Sequence, residues 1–171
     1  DPGASYNAMI APISGLSISG AVFNQGYNNA LGNARPSLYR QTFQAMIEDW
    51  RRAFRNDKMP FCIIGLTAGG EPQTYENFEL RTTDPAPYIR EAQFLATKSL
   101  EFAEFLPAYD QQVPWYHPHK KFELGERAAR WAMNTVLGHQ RIGWKPVELL
   151  SAKKNDDHFI LNFEKPIRVH D

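Results

Sequence analysis

Residues 20 to 29, GAVFNQGYNN, pass from an apolar run into a cluster of amides around a glycine. Ala21, Val22 and Phe23 read as a strand, and Asn24, Gln25, Gly26, Tyr27, Asn28 and Asn29 follow it. Such a cluster suits holding negative charge that develops on an oxygen. Glycine lets its backbone N–H come close to a ligand, and a side-chain amide donates without adding a charge that needs neutralising. If the Gly26 N–H and the Asn29 N–H₂ converge they form an oxyanion hole, each donor worth roughly 2.7–4 kcal/mol in a transition state. Plain turns use the same residues, because Asn and Gly tolerate left-handed backbone, so the residues alone leave both readings open.

A second group is WYHPHKK, from 115 to 121. Pro118 biases His117 away from helical backbone and itself suits a first helical position. His117 is thereby placed at the entry to a helix, where an imidazole can serve as general base toward a hydroxyl. An exposed loop histidine is the simpler alternative. Asp110 is the nearest acid upstream of His117 and the local candidate to orient its ring. His117 and His119 make a poor metal pair, with Pro118 between them and no cysteine or carboxylate cluster alongside. No metal and no cofactor is expected. Ser5, Ser14, Ser17 and Ser19 lie in no G-x-S-x-G elbow, and none reads as an activated nucleophile.

These groups need a frame. Tyr39, Thr42, Phe43, Met46, Ile47, Trp50 and Phe54 recur at three- and four-residue steps, with Arg40, Gln44, Glu48, Arg51, Arg52 and Arg55 between them. That spacing predicts an amphipathic helix over 37 to 55, with Ser37 as N-cap. PFCIIGLTA (60 to 68) fits a strand buried on both faces. Residues 69 to 87 read as a long loop, 88 to 100 as a helix, 101 to 110 as a third strand and 111 to 121 as another loop. Residues 122 to 137 carry a helical stripe of Leu124, Ala128, Trp131, Ala132 and Thr135, closed by Gly138. Strand and helix alternate three times, which predicts a parallel sheet under covering helices. Ligands then sit beyond the carboxyl ends of the strands, where the loops 24 to 36, 69 to 87 and 111 to 119 gather. From about 144, two short strands around Lys-Lys-Asn-Asp-Asp read as a hairpin.

Composition narrows the classes. The chain has 171 residues, one ordinary domain, and an apolar fraction of 43% that suffices for a core. The aromatic share of 13% fits a core before it fits a sugar cleft. Lys+Arg and Asp+Glu balance at 19 each, so neither a nucleic acid nor a membrane surface is an expected partner. No stretch approaches the roughly 18 apolar residues of a membrane span. The single cysteine, Cys62, lies in an apolar run and reads as buried and inert. The opening Asp-Pro-Gly-Ala-Ser has no Met and no apolar leader, and reads as the interior of a longer protein.

The stretch YNAMIAPISGLSISGAVFNQGYNNA resembles YNGMIAPL-x-x-x-x-I-x-GVIWYQGESNA of the sialate O-acetylesterase-like carbohydrate esterases, a branch of the SGNH-hydrolase superfamily. The likeness continues through LYRQTFQAMIEDWRRAF, MPFCIIGLTA and YIREAQ, and through HPHKKFELGERAARWAM, which is similar to that family's HPxNKxExGxRLAxWAL. Together these cover about residues 6 to 138. The resemblance implies the C-terminal strands of a flavodoxin-like α/β/α hydrolase sheet over residues 1–143, with 144–171 a small β element. It implies removal of O-acetyl groups from carbohydrates, in a secreted or periplasmic setting. Gly26 and Asn29 would supply oxyanion donors, His117 the general base, and Gln25, Tyr27 and Trp115 contacts to the substrate.

Three departures accompany the likeness. The family's nucleophilic serine, in Gly-x-Ser-Asn-Met, has no counterpart here. The Glu and Ser of QGESN are Tyr27 and Asn28, and the acid two residues before the histidine is Trp115. Either the serine comes from a missing N-terminal segment or companion chain, or the site is a decayed carbohydrate-binding or structural module. Aromatic rings in place of acids suit holding a sugar better than cutting an ester, so weak or absent turnover is expected. A three-stranded parallel sheet also leaves an apolar edge and face uncovered. The 171 residues alone are therefore expected not to form a stable monomer, and to contact further polypeptide along the strand holding Val22. Sedimentation and thermal melting check this: a monomer that melts cooperatively would overturn it.

Overall fold

The structure is a computed structural model and describes residues 3–31, 33–67, 74–77, 79, 85–111 and 121–168. Three strands, β1 (Ala21–Asn24), β2 (Phe61–Ile64) and β3 (Ala103–Leu106), form a parallel sheet in the order β1-β2-β3. Ala21 stands opposite Phe61, and Phe61 opposite Ala103. Helices α1 (Pro36–Ala53), α2 (Pro85–Lys98) and α3 (Phe122–Trp131) alternate with the strands, as the sequence predicts. Before β1, Tyr6–Ile10 and Ala11–Ile13 form short helical turns.

The apolar run in β2 explains the layering. All of its residues are buried, and side chains on a strand alternate between faces. Phe61 and Ile63 pack with Tyr39, Phe43 and Ile47 of α1 and with Ile89, Ala92 and Ala96 of α2. Cys62 and Ile64 turn the other way, onto Leu106, Leu124 and Trp131. A sheet with helices on both faces follows directly. Phe23 of β1 joins the first cluster, its ring 5.2 Å from Phe43 and edge-on to Trp50 at 6.3 Å. The Cys62 thiol, pushed up to about 12 by burial and by the neighbouring Glu104 charge, stays protonated and inert, as its apolar setting suggests.

Several local expectations are corrected. Helix α1 starts at Pro36 with Arg35 as N-cap, so Ser37 sits inside the first turn and does not cap it. Proline at the first position wins because its fixed φ is already helical and its missing N–H would have no partner there. Helix α2 likewise starts at Pro85, within the predicted loop. Helix α3 ends at Trp131 and continues as a π turn over Ala132–Val136, with Leu137 N–H on the Ala132 carbonyl at 2.9 Å. Gly138 follows at φ 75°, the left-handed backbone predicted for a helix end. The hairpin is present as β4 (Leu149–Asn155) and β5 (His158–Phe163), but Lys153, Lys154 and Asn155 belong to the strand. The turn is only Asp156 and Asp157, Asp156 taking φ 49°, which a short acidic side chain tolerates.

Arg51 departs most from its expected place on the polar face of α1. It is buried, and its guanidinium donates to the Met59 carbonyl at 3.1 Å and the Glu101 carbonyl at 2.8 Å. It also lies over the Phe61 ring at 5.8 Å. These bonds satisfy carbonyls on the approaches to β2 and β3, at the amino edge of the sheet. Arg51→Met keeps the apolar stem but strands both acceptors, which costs about 1–3 kcal/mol per unsatisfied buried group. A matching drop in the urea midpoint is expected; an unchanged midpoint would show that the guanidinium carries no structural role.

Candidate active site

The parallel strands place their carboxyl ends, at Asn24, Ile64 and Leu106, on one edge of the sheet. The amide cluster leaves β1 at that edge. Gly26 is buried at φ 138°, and a Cβ there would stand 2.9 Å from Gln93 Nε2 and 3.4 Å from both Ile89 Cγ2 and Tyr39 Oη. Glycine is needed for backbone angle and for space together. Its carbonyl accepts from Asn29 N–H at 3.0 Å and Ala30 N–H at 3.1 Å, closing a one-turn 3₁₀ helix over Asn28–Ala30. Among the described residues neither the Gly26 N–H nor the Asn29 Nδ2 donates a hydrogen bond. A groove of about 560 Å³ opens beside the loop, bordered by Gln25, Asn28, Asn29 and Arg35 over Leu38 and Phe43.

A buried polar network braces this loop. Gln93, fully buried on α2, donates from Nε2 to the Gln25 carbonyl at 2.6 Å and to the Tyr39 hydroxyl at 3.2 Å. Its Oε1 accepts from Leu66 N–H at 2.9 Å, just past β2. Tyr39 donates to Gln25 Oε1 at 3.2 Å, and Gln25 Nε2 donates to Asn29 Oδ1 at 2.6 Å. Burial raises the Tyr39 pKa, partly offset by the hydrogen bond from Gln93, so the hydroxyl keeps its proton. Arg90 of α2 donates to the Leu66 carbonyl at 3.1 Å and lies 5.9 Å from the Tyr109 ring. One helix thus ties together the segments beyond all three strands.

The predicted site residues divide. Gln25, Gly26 and Asn29 come together in the loop, and Tyr27 is half-buried with its side chain packed against the α1–α2 cluster. Asp110 lies past β3, with both carboxylate oxygens on the Arg127 guanidinium of α3. Arg127 also donates to the Pro107 carbonyl at 3.0 Å, so the pair pins the segment leaving β3 onto α3. His117 and Trp115, with most of the loop 69–87 and nearly all of 111–119, lie outside the described residues. Among the described residues no group of three His, Cys, Asp or Glu side chains could hold a metal, and no helix is long and apolar enough to cross a membrane.

Sequence reasoning missed Gln93, Tyr39 and Arg127. Gln93 had a signal: it interrupts the apolar stripe of Ile89, Ala92 and Ala96 with an amide. Tyr39 was legible only as part of the apolar face of α1, because its hydroxyl partner lies on a distant loop.

The fold is an α/β domain with a parallel sheet between helices, and the amide loop leaves the carboxyl edge of that sheet. No protein-family model matches the chain. The sialate O-acetylesterases of Pongo abelii and Homo sapiens are each 45% identical to it over 70 residues, 37% of this chain and 13% of theirs. That of Rattus norvegicus is 41% identical over 51 residues, 30% of this chain and 9% of its own. The chain thus matches only a small part of the length of these relatives. A carbohydrate acetylesterase from Xanthomonas citri shares the fold with a TM-score of 0.76 at 24% identity, over 93% of this chain and 35% of that one. The chain is sialate O-acetylesterase-like in sequence and carbohydrate-acetylesterase-like in fold.

The Asp110–Arg127 pair has a pH signature. The Arg127 hydrogen bonds hold the Asp110 carboxyl below its ordinary value. A depressed folded value means stability that is present above the unfolded value of about 3.9 and is lost as pH falls through the lower folded one. The pair is partly exposed, its side chains 35% and 46% accessible, so Asp110→Asn should cost no more than about 1 kcal/mol at neutral pH. Acid unfolding of wild type and variant should converge below about pH 4. A stability gap that persists unchanged into acid would mean the carboxylate charge contributes nothing.

Proposed function

We propose that this chain is part of a carbohydrate O-acetylesterase of the SGNH type, acting on O-acetylated sugars in a secreted or periplasmic setting. The observation that carries the reading is the braced loop at the carboxyl edge of the sheet, in a chain whose relatives are sialate O-acetylesterases. In this reading a serine from polypeptide outside these residues attacks the acetyl carbonyl carbon, and His117 accepts its proton. The oxyanion is held by the Gly26 N–H and the Asn29 N–H₂. His117 then returns the proton to the departing sugar oxygen, leaving an acetyl-serine. Water, deprotonated by His117, attacks that ester, and acetate leaves as the serine regains its proton. Gln25, Tyr27 and Trp115 border the sugar.

The segment carrying the serine would lie along β1. Val22 on that strand is 49% exposed, and Leu31 and Leu38 nearby are similarly open, which supports an apolar docking edge there. Asp110 is the nearest acid upstream of His117 in the sequence, and its salt bridge to Arg127 competes with a role in orienting the imidazole.

Acetate release by the full-length protein, from p-nitrophenyl acetate and O-acetylated sugars, tests the reading. His117→Ala should abolish turnover, and Asn29→Ala should lower kcat about a hundredfold or more. Asp110→Asn should reduce turnover strongly only if that carboxylate orients His117. Sugar affinity without acetate release, weakened by Tyr27→Ala or Trp115→Ala, would replace the esterase reading with a binding one.

A further inference from the structure

We propose that Gln93 is the positioning residue of the oxyanion loop, its buried amide setting which way the Asn29 amide faces. The inference rests on the reading of Asn29 as an oxyanion donor. It starts from a donor that cannot change role. The backbone N–H of Leu66 can only donate, so the atom of Gln93 facing it must be the oxygen Oε1. Gln93 Nε2 therefore faces the Gln25 carbonyl and the Tyr39 hydroxyl, and donates to both. With its oxygen accepting from Gln93, the Tyr39 hydroxyl has one proton to give, and Gln25 Oε1 at 3.2 Å is a closer acceptor than the Gln25 carbonyl at 3.5 Å. That acceptor assignment leaves Gln25 Nε2 to face Asn29, whose Oδ1 receives it. The Asn29 N–H₂ is left as the free end of the chain. The polarity is fixed at Leu66, follows the shorter contact at Tyr39, and propagates from the end of β2 to the tip of the loop.

A packing role alone does not explain Gln93. It is fully buried, and a buried amide costs stability unless its hydrogen bonds are made, whereas Leu or Met would fill similar space without that cost. Its bonds go to the segments beyond β1 and β2 and to Tyr39 of α1, all beside the amide loop. Gly26 must lack a Cβ partly because Gln93 Nε2 occupies that place. Without this relay the Asn29 amide can turn its oxygen toward the groove, where it would repel an oxyanion.

The full-length protein should be assayed for acetate release with Tyr39→Phe, Gln93→Leu and Gln93→Glu. Tyr39→Phe removes one hydroxyl and breaks the relay with little change in volume. It and Gln93→Leu should lower kcat roughly tenfold or more, while KM stays within about threefold, because a transition-state donor is lost and ground-state binding is not. Gln93→Glu gives a pH signature. A protonated buried carboxyl keeps the acceptor and one of the two donor hydrogens of the amide, the ionised form keeps no donor, and burial raises its pKa. The ratio of variant to wild-type kcat should therefore fall as pH rises from about 6 to about 9. Wild-type kcat in Tyr39→Phe, or a flat Gln93→Glu ratio, would overturn the proposal. If Gln93→Leu fails to fold, the other two variants decide. If wild type releases no acetate, the esterase reading fails by itself, and a crystal structure of Tyr39→Phe settles the positioning role. Loss of the Gln25–Asn29 bond would uphold it, and an unchanged loop would overturn it.

Discussion

Burial of β2 on both faces is the constraint on which the rest depends. Phe61, Cys62 and Ile63 are fully buried, and Ile64 nearly so. A strand of that kind needs a partner on each edge and a helix layer above and below. Pairing β1 and β3 with it in parallel obliges the chain to cross over through helices each time. Those crossovers put the amino ends of all three strands on one side and the carboxyl ends on the other. The segments leaving Asn24, Ile64 and Leu106 start from one edge as a result of hydrophobic burial, before any polar contact is made.

Polar side chains then secure both edges in a common way. Arg51 serves the amino edge, reaching backbone carbonyls before β2 and β3. Gln93, Arg90 and Arg127 serve the carboxyl edge, reaching the carbonyls of Gln25, Leu66 and Pro107. Strands of four residues leave many backbone groups beyond the ladder, and a long side chain from a packed helix can satisfy them where water is excluded. Arg127 and Asp110 add a charge pair, and Gly65 adds a close approach. A Cβ on Gly65 would stand 2.4 Å from Phe105 Cζ, so the chain leaving β2 passes directly under that ring. The site is therefore held by the helices more than by its own loop.

The alternation of elements, the buried central strand and the place of the amide loop were legible because each rests on short-range pattern. PFCIIGLTA reads as buried on both faces whatever surrounds it, and the stripe on α1 repeats over several turns. Pro36 and Arg51 were misread for opposite reasons. The proline offered a local rule stronger than the serine cap beside it. Arg51 obeyed no local rule, because its partners at Met59 and Glu101 are fixed by tertiary packing. Gln93 and Tyr39 belong to the same class: a hydroxyl and an amide on different helices meet only after the helices dock. Gly26 and Asn29 could be named from residue type, but the bonds that aim them could not.

The hairpin after the α/β layers has a different physical character. Leu149, Leu150, Phe159, Ile160 and Leu161 are all substantially exposed, and among the described residues β4 and β5 pair only with each other. A two-stranded ribbon is marginal in water. β5, HFILNF, has no proline, no glycine and no Asp, Glu, Lys or Arg over six residues, the composition of a segment prone to stacking with copies of itself. Acidic Asp156 and Asp157 precede it, and Glu164, Lys165 and Pro166 follow. These flanks act as gatekeepers that discourage strand addition at both ends. The hairpin thus joins exposed apolar strands to charged flanks, and self-association of the protein should depend on the balance between them.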